Sequence, residues 1–499
     1  PPPPPPPPDG HPCARHASTP TPARMGPPAQ NVPTLSSNCR ISWASWGHEA
    51  STYRAYLGEG HVLSTAHHAD VLIVGAGLAG LSAAHQLTGA GVTVSVLEAA
   101  PCVGGRMSTS TVDGFRLDRI GQLLSTSYPE LTRTPGLEDL PLRAFSPGVL
   151  VHSGGRHYRA GATGSARGAL AAARARASAP RGTVTPLGGA LDQARLGKAL
   201  AKLAAAPVER IVARPELPIG QALSGRGLPA RTLDGFVRPL LSALLCDPDL
   251  TTSSRCADLA LRGFARGRLC VPAGGAATLP ELLAAALPPG TVRTDVKVTA
   301  VATTSVTTAD HGVLGCRSLL LATDAPAAAE LLPGLRVPAF HPLTVLHHAA
   351  PRSPLADPAL LLDADRSGPV AYSSVMSEVD PSRAPRGRAL ITSTVLGTPP
   401  ADLESAVRRQ LARLYATSTD GWELLAVHHT PQAVPSMPAP HDLRRPVRLL
   451  AGLYVCGDHR DTSTVQGALY SGRRAAQAIL ADLGVQSWHA APEVIRKAA

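Results

Sequence analysis

Three glycines and a glutamate form the strongest chemical signal in this sequence of 499 residues. Gly75, Gly77 and Gly80 follow the apolar run Val71–Val74 in a G-x-G-x-x-G pattern, and Glu98 lies 18 residues after Gly80. Glycine permits a tight turn and lets the backbone approach a pyrophosphate, while free N–H groups at a helix start attract phosphate oxygens. An acid at the end of the next strand can accept hydrogen bonds from ribose hydroxyls. The pattern predicts a dinucleotide-binding site.

Regular elements must surround these residues for the site to form. The run Val71–Val74 predicts a buried parallel strand, and the apolar spacing that starts at Leu78 predicts a helix. A second apolar run, Val92–Leu97, predicts the strand that ends at Glu98. The order strand, glycine turn, helix, strand is the βαβ unit that a dinucleotide-binding turn requires.

A second candidate block lies near the other end of the chain. The segment Arg448–Val455 predicts a strand that leads into Gly457 and Asp458, and a helix is predicted from about Gln466 to Ala481. An aspartate at a strand end can accept hydroxyl hydrogen bonds, and the start of a helix offers N–H groups to a polar ligand. The block predicts a second contact region for the same cofactor.

These blocks together resemble the FAD-dependent flavin amine oxidase superfamily, which also contains protoporphyrinogen oxidases and carotenoid desaturases. The resemblance rests on Gly75-x-Gly77-x-x-Gly80 with Glu98, on Gly104-Gly105-Arg106, and on Gly457-Asp458 followed by Gln466-Gly467-Ala468. The Gly-Gly-Arg after the acid favours FAD over NAD. The resemblance covers about residues 68 to 485, strongly at the two ends and weakly between them.

The resemblance implies a set of cofactor-binding residues. The glycine turn would hold the FAD diphosphate, Glu98 the adenosine ribose, Val298 the adenine, and Arg106 and Asp458 the diphosphate and flavin side. The full set is Gly75, Gly77, Leu78, Ala79, Gly80, Glu98, Gly104, Gly105, Arg106, Val298, Ala322, Gly457, Asp458, Val465, Gln466, Gly467 and Ala468.

Two departures from the family pattern concern the substrate. Amine oxidases of this family usually carry a lysine downstream of the strand equivalent to Leu319–Thr323, whereas this chain has no lysine between Lys297 and Lys497. They also place an aromatic residue before the late helix, where this chain has Thr464. Both departures favour the desaturase and porphyrinogen-oxidase side of the family.

The predicted function is that of an FAD-dependent oxidoreductase, which transfers a hydride from a C–C or C–N bond of a hydrophobic or conjugated substrate to flavin. Two alternatives remain open at this point, an amine oxidase in the strict sense and a non-catalytic flavin-binding scaffold. No catalytic acid or base is assigned. His459 and Arg460 are the polar candidates beside the predicted flavin site, against a purely structural role in their loop.

The predicted fold class is α/β, with a discontinuous Rossmann-like FAD-binding domain and an inserted mixed α+β substrate domain. The FAD-binding domain is predicted in three segments and the substrate domain in two, with a disordered Pro-rich extension before them and a short tail after them. The predicted boundaries are 1–66 (extension), 67–125 (first FAD-binding segment), 126–262 (helical substrate segment), 263–334 (second FAD-binding segment), 335–446 (substrate-domain sheet), 447–486 (third FAD-binding segment) and 487–499 (tail).

Composition bounds the partners. The net charge is +11, and the segment 156–238 alone carries 14 Arg or Lys against four acids. This basic segment could face an anionic substrate or a membrane surface, and without interleaved aromatic residues it does not predict nucleic-acid binding. The eight cysteines form no C-x-x-C pair, which favours reduced thiols and predicts no metal site. We expect a cytoplasmic protein that acts on a small molecule, with peripheral membrane contact as an alternative; the sequence does not reveal the electron acceptor.

Overall fold

The computed structural model describes residues 68–161 and 187–485 of the chain. The predicted extension (1–66), the tail (487–499) and the centre of the basic segment (162–186) lie outside these described residues.

Strands make up two large sheets and two small ones. The strands of the described residues are β1 (Ala69–Val74), β2 (Val94–Leu97), β3 (Thr109–Val112), β4 (Phe115–Asp118), β5 (Leu124–Ser125), β6 (Leu142–Ala144), β7 (Val149–Ser153), β8 (Arg156–Ala160), β9 (Leu269–Pro272), β10 (Val292–Arg293), β11 (Val298–Ala302), β12 (Ser305–Thr308), β13 (Val313–Leu321), β14 (Phe340–Ala350), β15 (Leu361–Asp363), β16 (Val370–Val375), β17 (Ala389–Leu396), β18 (Glu423–Pro435), β19 (Arg448–Leu450) and β20 (Leu453–Val455).

Helices connect and cover these strands. The α-helices of the described residues are α1 (Leu78–Gly89), α2 (Glu130–Arg133), α3 (Ala190–Ala205), α4 (Val208–Val212), α5 (Ile219–Ala222), α6 (Ala230–Thr232), α7 (Arg238–Leu245), α8 (Ser254–Arg266), α9 (Thr278–Ala285), α10 (Ala325–Leu331), α11 (Met376–Val379), α12 (Leu403–Leu414) and α13 (Val465–Leu483). Single 3₁₀ turns span Leu223–Arg226, Pro381–Arg383 and Asp458–Arg460, and a π-helical turn spans Leu233–Val237.

The first large sheet brings distant regions of the chain side by side. Its parallel core has the strand order β10-β2-β1-β13-β20, so the final strand of the chain lies one strand away from the first. The central strands β1 and β13 are almost fully buried where they pair, which accounts for their continuous apolar runs. The carboxyl ends of these strands meet at one edge, where a ligand can bind.

Helices α1 and α13 pack against this sheet and against each other. Leu81 and Leu87 of α1 and Leu469 and Ile479 of α13 belong to one buried cluster. The two backbones come close because Gly472 has no side chain. A Cβ placed there would lie 2.1 Å from the carbonyl oxygen of Ala79. The contact holds the starts of the two helices in one arrangement.

The second large sheet has seven strands in the order β18-β14-β17-β16-β15-β7-β8. It is mostly antiparallel, with β15 and β7 paired in parallel. Helix α12 covers one face through Val407, Leu411 and Leu414. Helices α7 and α8 pack with residues of the other face in a separate cluster. The predicted α/β class, with a discontinuous nucleotide-binding region and a further mixed region, is confirmed. The domain boundaries themselves stay predictions.

Three predicted elements differ in detail from the structure. The predicted strand Arg448–Val455 is a hairpin of β19 and β20, because Gly452 takes a left-handed conformation (φ +82°) and turns the chain. The alternating run Val292–Val301 is divided into β10 and β11, and Asp295 between them has φ +57°. The segment 126–262, predicted as helical, also contributes β6, β7 and β8.

Where the structure describes it, the basic segment consists of strand β8, helices α3 to α6 and the turns that connect them, and it ends at the first residue of α7. Several of its arginines pair with acids: Arg214 and Arg226 both bind Asp258, and Arg159 binds Asp357. Some of the excess charge is thus neutralised by acids outside the segment. Among the described residues, no helix combines the length and the apolar character that a membrane crossing demands.

Candidate functional site

The predicted glycine turn lies at the carboxyl end of β1, where the first sheet meets α1. Gly75 has φ +106°, and a Cβ there would lie 3.0 Å from the carbonyl oxygen of Ala322 on the neighbouring segment. Gly80 packs even more closely, since its Cβ would lie 2.1 Å from the carbonyl oxygen of Gly75. Both positions therefore exclude side chains, and the turn brings α1 against the end of the sheet.

The start of α1 is open to a ligand. Gly77 is the N-cap residue and no side chain caps the helix, and a Cβ at Gly77 would find no atom within 4 Å. The first backbone N–H groups of a helix lack partners within the helix and carry partial positive charge. Leu78 and Ala79 line the same space. The geometry fits a phosphate group at the helix start.

Glu98 follows the last residue of β2 and is oriented by the backbone. Its Oε2 accepts a hydrogen bond from the Ala76 amide at 2.8 Å, and its Oε1 accepts one from the Ala100 amide at 2.9 Å. Each carboxylate oxygen has a second lone pair that remains open to a ligand hydroxyl. Glu98 thus lies beside the glycine turn, as the motif requires.

The Gly104-Gly105-Arg106 segment packs over the glycine turn. The Gly104 amide donates to the Ala76 carbonyl at 2.9 Å, and Gly104 has φ +111°. A Cβ at Gly105 would have only the Gly77 Cα, at 4.0 Å, as a neighbour. The segment therefore holds Arg106 at the same cavity as the start of α1.

Arg106 connects the segment that follows the glycine turn with the late block around Asp458. Its Nη2 donates to Asp458 Oδ1 at 2.6 Å, and its Nη1 donates to the Ala433 carbonyl at 2.8 Å. Burial alone would disfavour the charged guanidinium, yet the adjacent Asp458 carboxylate outweighs it and raises the pKa of Arg106. Asp458 itself is 8% exposed in this pair. This charge-assisted hydrogen bond fixes the two side chains relative to each other.

The late block closes the cavity from the other side. Gly457 donates its amide to Ser471 Oγ at 2.9 Å, which ties the Gly-Asp pair to α13. Thr464 caps α13 by accepting the Gly467 amide at 3.1 Å. Thr464, at the position where the resemblance implies an aromatic residue, lines the cavity. The start of α13 therefore presents small side chains to the ligand space.

These elements enclose a cavity of about 420 Å³, which lies within the range of ligand pockets. Of the 17 residues that the resemblance implies, 14 line it: Gly75, Gly77, Leu78, Ala79, Glu98, Gly104, Gly105, Arg106, Val298, Ala322, Gly457, Asp458, Val465 and Ala468.

Three of the predicted residues do not line the cavity but support its wall. Gly80 permits the close packing at Gly75 described above. A Cβ at Gly467 would lie 1.9 Å from the Thr462 carbonyl oxygen, so this position also requires close backbone packing. Gln466 points its Oε1 to the Glu130 amide at 3.0 Å. Their direct contact with a cofactor stays a prediction.

The cavity also has a wall that the motifs did not indicate. Asp324 and residues of α10, among them Ala327 and Glu330, line it next to Val298. Asp324 is the N-cap of α10 and accepts the Ala327 amide at 2.9 Å. The only sequence signal was the position of Asp324 just after the carboxyl end of β13, at the edge where parallel strands gather ligand-binding residues.

A smaller, tighter cavity of about 20 Å³ adjoins the first one, because Gln122 lines both. Its wall combines apolar side chains with hydroxyl and cationic groups from the second sheet and the β4–β5 segment. The lining residues are Arg116, Asp118, Gly121, Gln122, Leu123, Phe145, Val271, His347, Leu360, Tyr372, Ser374, Met376, Arg383, Thr392 and Thr394.

The protonation state of His347, which lines this small cavity, follows from its hydrogen bonds. Its Nε2 lies 2.9 Å from the Asp118 carbonyl oxygen, which can only accept, so Nε2 carries the proton. Its Nδ1 lies 3.1 Å from Thr392 Oγ1 and accepts the hydroxyl proton. Burial lowers the pKa of His347 to about 4. The imidazole is therefore neutral at pH 7.

Buried groups around the small cavity hold its shape. Tyr372 donates its hydroxyl to the Gly121 carbonyl at 2.8 Å. Arg383 forms a two-pronged ion pair with Asp118, and this pair lowers the pKa of Asp118 although burial raises it. The bonds fix the segment from Asp118 to Gln122 against the second sheet. The sequence motifs did not indicate these contacts.

His459 and Arg460, the two polar candidates for catalysis, line neither cavity. His459 is buried, its Nδ1 has no hydrogen-bond partner among the described residues, and burial lowers its pKa to about 4. A Cβ at Gly457 would lie 2.6 Å from the His459 ring, so the imidazole packs behind the Gly-Asp pair. Their contacts favour a structural role in the loop.

Comparison with known proteins agrees with this geometry. The family model described as flavin containing amine oxidoreductase matches residues 78–480. The chain is 54% identical over 67 residues to putrescine oxidase of Kocuria rosea, a match that covers 13% of this chain and 14% of that protein. It is 55% identical over 49 residues to carotenoid 3,4-desaturase of Haloarcula japonica, which covers 10% of each chain.

Solved structures resemble the whole fold. An oxidoreductase from Methanosarcina mazei superposes with a TM-score of 0.63 at 15% identity, over 82% of this chain and 99% of that chain. At this identity the likeness concerns the fold alone. The matches to the two curated relatives span a small fraction of those proteins' length. They therefore indicate shared motifs and do not indicate a shared substrate.

Proposed function

Because the chain belongs to the family of flavin-containing amine oxidoreductases, we propose that it is an FAD-dependent oxidoreductase that acts on a small organic molecule. The observation that carries this proposal is the Arg106–Asp458 ion pair at the cavity beside the glycine turn. It joins the Gly-Gly-Arg segment to the late Gly-Asp block, and a plain NAD-binding domain has neither of these features.

The residues of the cavity beside the glycine turn fit FAD in their chemistry. In this proposal the uncapped start of α1 and the Arg106 guanidinium hold the diphosphate, and Glu98 holds the adenosine ribose. Val298 lies against the adenine, and Asp458 with the start of α13 holds the flavin side. Bound FAD would supply a two-electron acceptor for a hydride from a C–C or C–N bond.

The reacting end of the substrate is proposed to lie at the smaller cavity, because Gln122 lines both this cavity and the cofactor cavity. The volume of about 20 Å³ is close to that of one water molecule, so this cavity receives only a small group of the substrate. Its apolar side chains, such as Phe145, Leu360 and Met376, exclude water from the reacting bond. The hydroxyl groups of Tyr372 and Thr392 can orient a polar substituent. A neutral His347 adds no charge to this wall. The lining supports a substrate that places a small, largely apolar group with one polar atom against this wall.

Two departures from the family pattern favour desaturation over simple amine oxidation. The region between Lys297 and Lys497 contains no lysine, and Thr464 replaces the aromatic residue of the family pattern. For the basic segment, the ion pairs of Arg159, Arg214 and Arg226 with buried or half-buried acids favour internal packing. We therefore do not propose that the basic segment binds a membrane.

Anaerobic mixing of the FAD-loaded protein with candidate substrates tests the proposal. We expect bleaching of the flavin absorbance with saturated or partly unsaturated hydrophobic compounds, and weaker bleaching with a panel of simple amines. Reduction by dithionite but by no organic compound would contradict an enzymatic function and favour a flavin-binding scaffold. Faster reduction by amines than by the hydrophobic compounds would overturn the substrate class.

A further inference from the structure

Three ligand-type side chains form a cluster in the second sheet, apart from both cavities. His152 on β7 lies directly opposite Asp363 at the end of β15, and Asp365 follows two residues later. One ligand atom from each residue lies within 4.8 Å of the other two. None of the three lines the cofactor or the substrate cavity.

His152 has the geometry of an unused metal ligand. Its side chain is 6% exposed, and neither ring nitrogen has a hydrogen-bond partner among the described residues. Nδ1 lies 3.9 Å from Asp363 Oδ1 and 3.8 Å from Asp365 Oδ2. These separations are too long for hydrogen bonds, but two ligands at about 2.0–2.4 Å from one cation can span them.

The buried carboxylate of the cluster is held in place by its neighbours. Asp363 Oδ2 accepts from the Ser367 hydroxyl and from Gln410 Nε2, each at 2.7 Å. Its Oδ1, which faces His152, accepts a bond from the Asp365 amide at 3.0 Å. Bonds of this kind orient the ligands of metal sites, and the second lone pair of the inward oxygen can coordinate.

Asp365 supplies the open side of the cluster. Its Oδ1 accepts from Ser153 Oγ at 2.8 Å and its Oδ2 accepts from the Gly154 amide at 2.7 Å, and its side chain is 39% exposed. A cation could therefore enter past Asp365 and keep one position for water.

The charges of the cluster are not balanced within it. The two carboxylates carry a formal charge of −2, and among the described residues no arginine or lysine forms an ion pair with either of them. The adjacent Arg413 donates instead to the Ser367 carbonyl at 2.5 Å. We propose that His152, Asp363 and Asp365 bind a divalent cation of the zinc type, which accepts one imidazole nitrogen and two carboxylate oxygens with an open fourth position.

Zinc titration of the full-length, FAD-loaded protein after chelator treatment tests this site. The wild-type chain should take up one more zinc ion than the variant Asp365→Asn, whose affinity at this site should fall by more than about tenfold. Zinc should raise the melting temperature of the wild type and leave that of the variant nearly unchanged. The comparison is needed because the chain has 18 histidines that could bind zinc elsewhere.

The matched control is Asp420→Asn, another exposed aspartate whose carboxylate accepts from a serine, Ser418 Oγ, at 2.8 Å. It should behave as the wild type in both measurements. If Asp365→Asn does not fold, His152→Asn offers the same comparison from the nitrogen ligand. Equal zinc uptake and equal stabilisation in the wild type and the site variants would overturn the proposal, whatever the flavin activity.

Discussion

At the scale of residues, Arg106 joins two separate segments of the chain at the cofactor cavity. It contacts Asp458 and the Ala433 carbonyl at once, and it lines the cofactor cavity. The planar guanidinium can serve two acceptors and a phosphate in fixed directions, whereas an ammonium group acts as a point charge. A conservative replacement should therefore still damage the site.

We predict that Arg106→Lys lowers the affinity for FAD by at least about tenfold, since one charge-assisted hydrogen bond contributes roughly 1.5–3 kcal/mol. Calorimetric titration of the apoprotein with FAD measures the change. Arg409→Lys is the control, because Arg409 pairs with Asp402 at 2.8 Å on an exposed helix face. Equal affinities of the two variants would argue against a cofactor contact by Arg106.

A second residue-scale prediction concerns Thr392 and the substrate cavity. Thr392→Val removes the hydroxyl that donates to His347 Nδ1. We expect unchanged FAD content and slower anaerobic flavin reduction by a substrate found in the screen above. In the control Thr344→Val the lost hydroxyl contacts His429 Nδ1 at 2.9 Å, outside both cavities, so reduction should proceed at the wild-type rate. Slower reduction in both variants would point to a general effect on the sheet.

At the scale of elements, helix α1 offers a matched pair of glycines. A Cβ at Gly80 would lie 2.1 Å from the Gly75 carbonyl oxygen, whereas a Cβ at Gly89 would find no atom within 4 Å. Gly80→Ala should destabilise the protein by about 1–3 kcal/mol and weaken FAD binding. Gly89→Ala should stabilise it by about 0.5–1 kcal/mol. Urea unfolding measures both, and a stable, FAD-replete Gly80→Ala variant would contradict the packing described for α1.

Elements with local signals could be predicted from the sequence, and elements defined by pairing could not. The βαβ unit from Ala69 to Leu97 and the late helix Val465–Leu483 were predicted nearly in full, because glycine turns and apolar periodicity act over a few residues. The hairpin at Gly452 was missed because a positive φ has no apolar signature. The contact of His347 with Asp118 joins positions 229 residues apart, and no local pattern indicates it.

At the scale of the whole molecule, buried histidines make stability depend on pH. Burial lowers the pKa of His347, His348 and His459 to about 4 each, from 6.5 in the unfolded chain. Between these values the unfolded state binds more protons, so stability is full above about pH 6.5 and falls as the pH decreases. By pH 4, each of these histidines lowers the free energy of unfolding by up to roughly 3 kcal/mol relative to its value above pH 6.5.

One buried acid acts in the opposite direction. Burial raises the pKa of Asp461 to about 6. Between about pH 4 and pH 6 the folded protein therefore binds more protons at Asp461 than the unfolded chain does. The contribution of Asp461 to the stability of the protein decreases as the pH rises through this range. The combined effect of the three histidines on the free energy of unfolding is larger than the opposite effect of Asp461. We therefore expect the free energy of unfolding to decrease from pH 7 to pH 4.5 in urea titrations.

A substitution can assign this pH dependence. His348 is fully buried and neither of its ring nitrogens has a partner among the described residues, so His348→Leu should flatten the decrease. His311→Leu, at an exposed position, should keep the wild-type slope. A stability that is constant between pH 7 and pH 4.5 in the wild type would show that these histidines are not buried as described.

The central claim at this scale is that both ends of the chain build one FAD site. The direct test is the FAD content of the purified or reconstituted protein together with two variants, Gly77→Asp from the first block and Asp458→Ala from the last. We predict one FAD per wild-type chain, a loss of more than about tenfold in affinity for each variant, and wild-type content in Gly89→Ala. A wild-type chain that cannot be loaded with FAD, or variants from both ends that retain it fully, would contradict the account.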